Sequence, residues 1–290
     1  MELDTEALEL FARKGLEAGR GAPQVGEANA VKVRRVMQIT QDLAGRPFSE
    51  LRILDLGCGE GVYAIEAGLR GASVLALDAR TERMELGAAC ADRHALDSVT
   101  FRQEDVRGVD RDTHGEFDVV LCLGLLYHLD TPEIFRLLER IQELATRLVV
   151  IDTLIALRGE IDVSHRGRTY RGERRREHGD DDPADMRRSR VLRSLDNTFA
   201  FRFTRGSLVQ ALHDIGFSSV HEGLAPPEPG KAGDRITLAA VNGERVSIAT
   251  YPWINGMSED EIARRLGSPG EGQTASPSRS VQTSPQTRSQ

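Results

Sequence analysis

The chain has few of the features that hold a protein by means other than an apolar core. Its three cysteines, Cys58, Cys90 and Cys122, are odd in number and lack C-x-x-C spacing, which argues against a disulfide framework or a zinc site. No metal is expected. No apolar run approaches the length that crosses a membrane, and Met1-Glu2-Leu3-Asp4 is not a basic region leading into an apolar one, so a soluble, cytoplasmic protein is expected. Lysine is nearly missing, at Lys14, Lys32 and Lys231 only, and arginine carries the positive charge. The formal net charge of -7 argues against a generally nucleic-acid-binding surface, although a local basic patch stays open. No repeat at solenoid spacing is seen. What remains is 290 residues, 39% hydrophobic and 29% charged, enough for one enzyme domain with additions.

The most informative stretch is Ile53-Leu54-Asp55-Leu56-Gly57-Cys58-Gly59-Glu60-Gly61: an apolar strand breaking into three alternate glycines. Glycine tolerates positive φ and has no Cβ, so the backbone can turn sharply and lie close to a ligand. Dinucleotide-binding turns read G-x-G-x-x-G, whereas here the third glycine comes one residue early and Val62 holds the dinucleotide position. A second strand, Ser73 to Leu77, ends in Asp78, a carboxylate able to accept from both hydroxyls of a ribose or only to cap the next helix. A third strand, Ser98 to Gln103, runs into Glu104-Asp105. The fourth runs from Phe117 to Leu123 and on into Gly124-Leu125-Leu126-Tyr127-His128.

An Asp two residues before G-x-G-x-G, with these elements following in this order, resembles the class I S-adenosylmethionine-dependent methyltransferases over about residues 50–155, and more weakly to Gly243. The resemblance implies an α/β fold: a Rossmann-like, seven-stranded, mostly parallel sheet with helices on both faces and an antiparallel hairpin at one edge. Alternating short apolar strands and helical segments agree. The cofactor implied is S-adenosyl-L-methionine, held by Asp55, Gly57, Cys58, Gly59 and Gly61 at the turn, by Asp78 and Ala79 at the ribose, by Glu104, Asp105 and Val106 at the adenine, and by Leu123 after the fourth strand. His128 is the leading candidate base, because it follows strand four near the expected methyl position and imidazole titrates near neutrality. Tyr127 would orient the substrate.

Around a core at 50–155, an N-terminal helical cap is expected at 1–49, with an acidic helix at 5–17, a Gly-rich turn at 19–26 and a helix at 27–43 whose apolar face is Val33, Val36, Met37 and Leu43. Lys32, Arg34 and Arg35 bring charge to it and read as a solvated face, with contact of Lys32 or an arginine to the cofactor's methionine carboxylate as the alternative. Thr131-Pro132 suggests an N-cap and first-turn proline for a helix whose apolar stripe is Ile134, Leu137, Leu138, Ile141 and Ala145. In the next strand, Leu148 to Leu154, Asp152 is expected at the rim of the site. Residues 156–203 are read as an inserted substrate lid. The stretch 156–197 holds eleven arginines, no lysine and nine acidic residues, and loops this long are functional or disordered. Asp152, His165, Arg168, Tyr170 and Asn197 are the substrate-binding candidates, within Arg166-Gly167-Arg168-Thr169-Tyr170 and Ser194-Leu195-Asp196-Asn197 for the lid. Core strands resume over 204–256, with Thr204 capping a helix through Ile215 and a long turn at Pro226 to Gly230. Over 257–290 a Ser258/Glu261 capping box precedes a tail with too little apolar surface to fold alone.

The expected partner is a small-molecule substrate, with the oligomeric state open. Two other readings compete. Val31-Lys32-Val33-Arg34-Arg35-Val36 and Leu126-Tyr127-His128 are faintly similar to the tRNA wobble-uridine carboxymethyltransferase, which would make tRNA the partner and put Lys32 and Tyr127 on the extra carboxylate of carboxy-S-adenosylmethionine. A cofactor-binding regulator without catalysis is the other.

Overall fold

The structure, a computed structural model, describes residues 23–224, 233–244 and 258. The chain divides into two units, Met1–Arg245 and Val246–Gln290, and apart from Ser258 every described residue lies in the first. The helix expected at 5–17, the turn at 226–230, and Glu261 and the tail lie outside the described residues.

Among the described residues ten strands form: β1 (Arg52–Leu56), β2 (Ser73–Asp78), β3 (Val99–Gln103), β4 (Phe117–Leu123), β5 (Ala145–Leu154), β6 (Ile161–His165), β7 (Arg168–Arg176), β8 (Phe199–Phe203), β9 (Ser219–Glu222) and β10 (Arg235–Val241). The helices are α1 (Pro23–Leu43), α2 (Val62–Leu69), α3 (Thr81–Arg93), α4 (Arg111–His114), α5 (Glu133–Leu144), α6 (Ala184–Ser189) and α7 (Arg205–Ile215). Seven strands make the main sheet in the order β3-β2-β1-β4-β5-β10-β9. It is parallel except where β10 runs against β5 and β9, as the Rossmann-like expectation has it.

The central strands are apolar on both faces because both are covered. Ile53 of β1 joins Val33, Val36 and Met37 of α1 in one core, while Leu54 and Leu56 join Ile134, Leu138 and Ile141 of α5 and Leu208 of α7 in another. In β4, Phe117 lies in the second core and Val119 in the first, although both are odd positions. The pairing with β5 shifts register between them, two steps along β4 standing against three along β5 from Ala145 to Leu148, an irregularity of the bulge type at which the ladder is locally disrupted. Thr204 caps α7 by accepting the Ser207 N–H, and Gly216 ends it, as expected.

Several boundaries differ from the reading of the sequence. α1 starts at Pro23 rather than Glu27, which turns Gly26 into a helical residue; proline with its fixed φ suits a first helical position. Leu43 is 37% exposed, so the apolar face is Val33, Val36 and Met37. Lys32 is not a solvated charge: it is buried and lies 2.7 Å from Asp152. Thr131 does not cap α5, whose N-cap is Pro132; the Thr131 N–H is instead taken by the Asp130 carboxylate at 2.8 Å. Ala145 does not close the helical stripe but opens β5 opposite Phe117, because sheet pairing there outweighs helical periodicity.

The Arg-rich insertion is folded rather than structureless. β6, β7 and β8 form a second, antiparallel sheet. Arg166 and Gly167, at φ 48° and 75°, connect the pair His165–Arg168 as a two-residue hairpin turn, the geometry whose twist matches the strands. Its inner face carries Tyr170, Phe201 and Phe203 onto Phe135 of α5, with ring centroids 5.1 Å (Tyr170) and 5.3 Å (Phe203) from that of Phe135. The Phe201 N–H donates to Leu129 O at 2.8 Å, which ties β8 to the loop after β4.

Candidate active site

Parallel register aligns the carboxyl ends of three strands: Leu56 of β1 stands opposite Leu77 of β2 and Cys122 of β4. The chain leaves the sheet immediately after, at Gly57, Asp78 and Gly124, so these meet at one edge, where open α/β sheets bind ligands. Gly57, Gly59 and Gly61 take φ of 66°, 57° and 72°, the left-handed region that a side chain strains. The turn they make is locked to β2. Gly59 N donates to Asp78 Oδ2 at 2.9 Å, Arg80 N to Asp78 Oδ1 at 2.9 Å, and Cys58 N to Leu77 O at 2.9 Å.

Between this edge and residues 191–197 of the insertion lies a cleft of ≈ 100 Å³. From the sheet side it is walled by Gly57, Asp78, Ala79, Asp105, Val106, Gly124 and His128, and from the insertion by Val191, Arg193, Ser194, Leu195 and Asn197. A larger opening of ≈ 660 Å³ lies against the same segment, lined by Arg176, His178, Arg190, Val191 and Leu192 among others. Gly57 of the glycine turn and the carboxylates Asp78 and Asp105 line the smaller space and not the larger.

Two arginines close the cleft. Arg107 donates to Asp105 and, through both terminal nitrogens, to Asp196 Oδ1 and Oδ2 of the insertion at 2.9 and 2.8 Å. Burial would raise the Asp105 carboxyl, but the Arg107 bonds hold it below its ordinary value. Arg80 donates to the backbone carbonyls of Arg188, Arg193 and Ser194 at 3.0, 3.3 and 3.3 Å. Neither contact was anticipated, because no spacing in the chain links residue 107 to residue 196.

His128 reaches the cleft from the short helical turn at Leu126–His128. Its Nδ1 lies 3.1 Å from Glu177 Oε2, and the Asn197 amide donates to its carbonyl at 2.9 Å. Tyr127, 4.3 Å from the His128 ring by centroids, does not line the cleft. Its hydroxyl accepts from Arg235 at 3.3 Å. Arg235 also pairs with Asp152, and Thr237 Oγ1 donates to Asp152 Oδ2 at 2.9 Å. Asp152 is 0% exposed, so the residue expected at the rim is interior. Burial would raise its carboxyl, but Lys32 and Arg235 hold it low.

The remaining candidates separate in the same way. Asn197 faces the cleft, but His165 pairs with Glu139 at 2.7 Å and stacks on Phe135. Arg168 meets Asp214 at 3.3 Å and the buried Tyr170 donates to Asp214 at 3.0 Å. These three hold the insertion to α5 and α7. The apolar/polar alternation Ile161-Asp162-Val163-Ser164 before Arg166-Gly167 was the signal of a hairpin that would have placed them there. Glu104 pairs with Arg102 and His114 rather than lining the cleft. Leu123 is the buried end of β4. Cys58 is buried beneath the turn, where burial first, and then the Asp55 and Asp78 charges, push its thiol up.

Asp55 is wholly buried and its Oδ2 has no hydrogen-bond partner. Burial, followed by the nearby Asp78 charge, raises its carboxyl to about 7 from 3.8. The folded chain therefore holds an extra proton between those values, and this group's contribution to stability falls as pH rises through that window, then stays constant. The difference corresponds to about 4 kcal/mol. Asp55→Asn is expected to raise the urea midpoint at pH 8 and change it little at pH 4. Equal midpoints of wild type and variant at pH 8 would mean that Asp55 carries no penalty.

A family profile described as a methyltransferase domain matches residues 53–147. The ubiquinone biosynthesis O-methyltransferases of Azotobacter vinelandii and Acinetobacter baumannii are 36% and 27% identical to the chain over 109 and 106 residues. Each alignment takes in 37% of this chain and 43% of the relative, so the chain spans under half the length of the curated relatives it matches. The N-terminal domain of EvdMO1, solved with SAH bound, superposes with a TM-score of 0.57 at 24% identity, over 73% of this chain and 81% of that one. The Synechocystis magnesium protoporphyrin IX methyltransferase with bound SAH gives 0.53 at 18% identity, over 82% and 99%; the likeness in both is one of fold. Glycine turn, strand order and profile match agree that, over residues 53–147, the chain carries a methyltransferase domain of the class I S-adenosylmethionine-dependent type.

Proposed function

We propose that the chain transfers a methyl group from S-adenosyl-L-methionine to a small organic acceptor in the cleft between the glycine turn and residues 191–197. The observation that carries this reading is Asp78: it lines the cleft, and each of its oxygens accepts one backbone N–H. A carboxylate oxygen accepts two bonds, so both retain capacity for a vicinal diol such as a ribose. Asp55 adds to the fit, since its orphan oxygen would be relieved by a positive charge or donor brought nearby. The names of the curated relatives support an oxygen acceptor, and the SAM- or SAH-bound neighbours support the cofactor.

Bound there, the cofactor supplies a methyl group activated by a sulfonium. Asp78 and the backbone of the turn hold the nucleoside, Asp105 and Val106 bound the cleft where a base would lie, and His128 takes the proton of a protonated acceptor. Alignment of two reactants is worth about 7–11 kcal/mol, whereas a general base adds roughly 10²- to 10⁴-fold. Positioning therefore dominates. At ≈ 100 Å³ the cleft is smaller than the roughly 300–1,000 Å³ of ligand sites, so residues 191–197 withdraw to admit the cofactor and return over it. Carboxy-S-adenosylmethionine is disfavoured, because Asp152 already meets Lys32 and Arg235 beside Tyr127. The proposed domain plan is a cap at 1–49, a core at 50–155, a lid at 156–203, core again at 204–256, and a short helix and tail at 257–290.

The test is titration calorimetry of the full chain with S-adenosyl-L-methionine and its demethylated product, followed by transfer of labelled methyl to phenolic, carboxylic and amine acceptors. Micromolar binding with label transfer is the expected outcome. Absence of binding on folded protein would overturn the reading; binding without transfer across the panel would favour a regulator.

A further inference from the structure

The insertion contributes chemistry as well as cover. Glu177 stands one residue beyond β7, placed by the 2.8 Å bond from its N–H to Thr198 O that continues the β7–β8 pairing. Its side chain is almost fully buried, and Oε2 meets two groups at once: Nδ1 of His128 at 3.1 Å and the Ser194 N–H at 2.7 Å. Burial would raise this carboxyl, but the His128 contact and the Ser194 N–H hold it below its ordinary value, so it is an anion facing the imidazole. An imidazole whose Nδ1 lies on a carboxylate carries its proton there, which leaves Nε2 as the acceptor nitrogen.

We propose that Glu177 is a positioning residue for proton removal: it fixes His128 in the Nδ1-protonated tautomer and stabilises the imidazolium formed when Nε2 takes the acceptor's proton. The inference rests on the methyl-transfer reading above. In the step, the acceptor's O–H or N–H bond breaks and its proton goes to Nε2. The freed electron pair forms the bond to the methyl carbon, and the methyl–sulfur bond breaks with its pair returning to sulfur. No other reactant is needed. Carboxylate, imidazole and nucleophile stand in the same relation in hydrolytic triads, where the carboxylate holds the ring without itself being protonated.

The source of the carboxylate has a consequence for timing. Glu177, Ser194 and Asn197 all belong to the insertion, and His128 belongs to the core, so the base is assembled only when the insertion is docked. Withdrawal of residues 191–197 to admit ligand removes the Ser194 bond that holds Glu177 and the Asn197 bond to the His128 carbonyl. Proton removal is thereby confined to the closed cleft.

The first test needs no acceptor. In the full chain with ¹⁵N-labelled histidine, one of seven histidines assigned by His128→Gln, the ring of His128 is expected to show a protonated Nδ1 and an unprotonated Nε2. Glu177→Ala is expected to shift it toward Nε2 protonation; an unchanged tautomer overturns the proposal. The second test uses S-adenosyl-L-methionine and the phenolic, carboxylic or amine acceptor that the label-transfer panel above shows to be methylated. Glu177→Gln retains an oxygen that can accept from both Ser194 and His128 but loses the charge, so kcat is expected to fall about 10- to 100-fold with KM within twofold, and the same change in a His128→Ala background to cost nothing further. Unchanged kcat, or a full additional loss in the double variant, overturns it. A chain that transfers methyl while its ring ignores Glu177 removes this proposal alone; a chain with the expected tautomer that neither binds the cofactor nor transfers removes the methyl-transfer reading together with it.

Discussion

Replacing Asp78 with alanine is expected to weaken binding of S-adenosyl-L-methionine about 100- to 10,000-fold. The carboxylate lines the cleft with one acceptor position left on each oxygen. A hydrogen bond to a charged group is worth about 1.5–3 kcal/mol, so two lost bonds amount to roughly 3–6 kcal/mol, and each 1.4 kcal/mol is tenfold. The same substitution strips the Gly59 and Arg80 N–H groups of their acceptor, which loosens the turn as well as removing the ligand contact. Asp78→Asn separates the two effects, because its single oxygen keeps a backbone bond while the charge and the second acceptor are lost. Calorimetry on both variants, with circular dichroism to verify folding, is the measurement. A dissociation constant within threefold of wild type in a folded Asp78→Ala protein would show that the nucleoside is held elsewhere.

Gly61→Ala is expected to destabilise the chain by about 2–5 kcal/mol. The residue sits at φ 72° as the N-cap of α2, where a side chain costs roughly 1–2 kcal/mol. A Cβ there would also come within 2.2 Å of Phe101 Cε1 and 2.5 Å of Cζ, and forcing extra volume into a packed site costs about 1–3 kcal/mol. The two contributions are separable: Phe101→Leu in the Gly61→Ala background recovers the steric part and leaves the backbone part. Urea midpoints of the three variants give both numbers. A loss below about 1 kcal/mol in Gly61→Ala would mean that α2 shifts freely on β3, contrary to the packing seen. Gly57 differs, since the nearest atoms its Cβ would meet are those of the Leu125 side chain, at 3.2 Å and beyond.

These two glycines show what was legible in the chain and what was not. The alternate spacing announced a tight turn, and the turn is present with positive φ at all three positions. That Gly61 serves the packing of α2 against Phe101, whereas Gly57 lines the cleft, depends on a strand forty residues away. Asp78, Asp105, His128 and Asn197 were each read from their place after a strand or within the insertion, and all four line one cleft. Asp152 was read from its strand end too, but the same position faces Lys32 and Arg235. A strand's end places a residue along the sheet and does not say whether the neighbouring helix covers it.

Local rules were sufficient where the determining interaction is local or periodic: apolar strands covered on both faces, glycine at positive φ, a threonine cap at α7, and a carboxylate at the tip of β2. From these the α/β architecture and the glycine-turn edge of the sheet follow from sequence alone. The closing of that edge does not, because it is made by pairs far apart in the chain: Arg107 with Asp196, Arg80 with the carbonyls of 188–194, and His128 with Glu177. Each is a polar contact between groups with no shared periodicity, and its existence depends on a three-stranded sheet docking on α5. Only the tertiary structure could decide which charges of an Arg-rich insertion face the cleft and which merely hold the insertion in place.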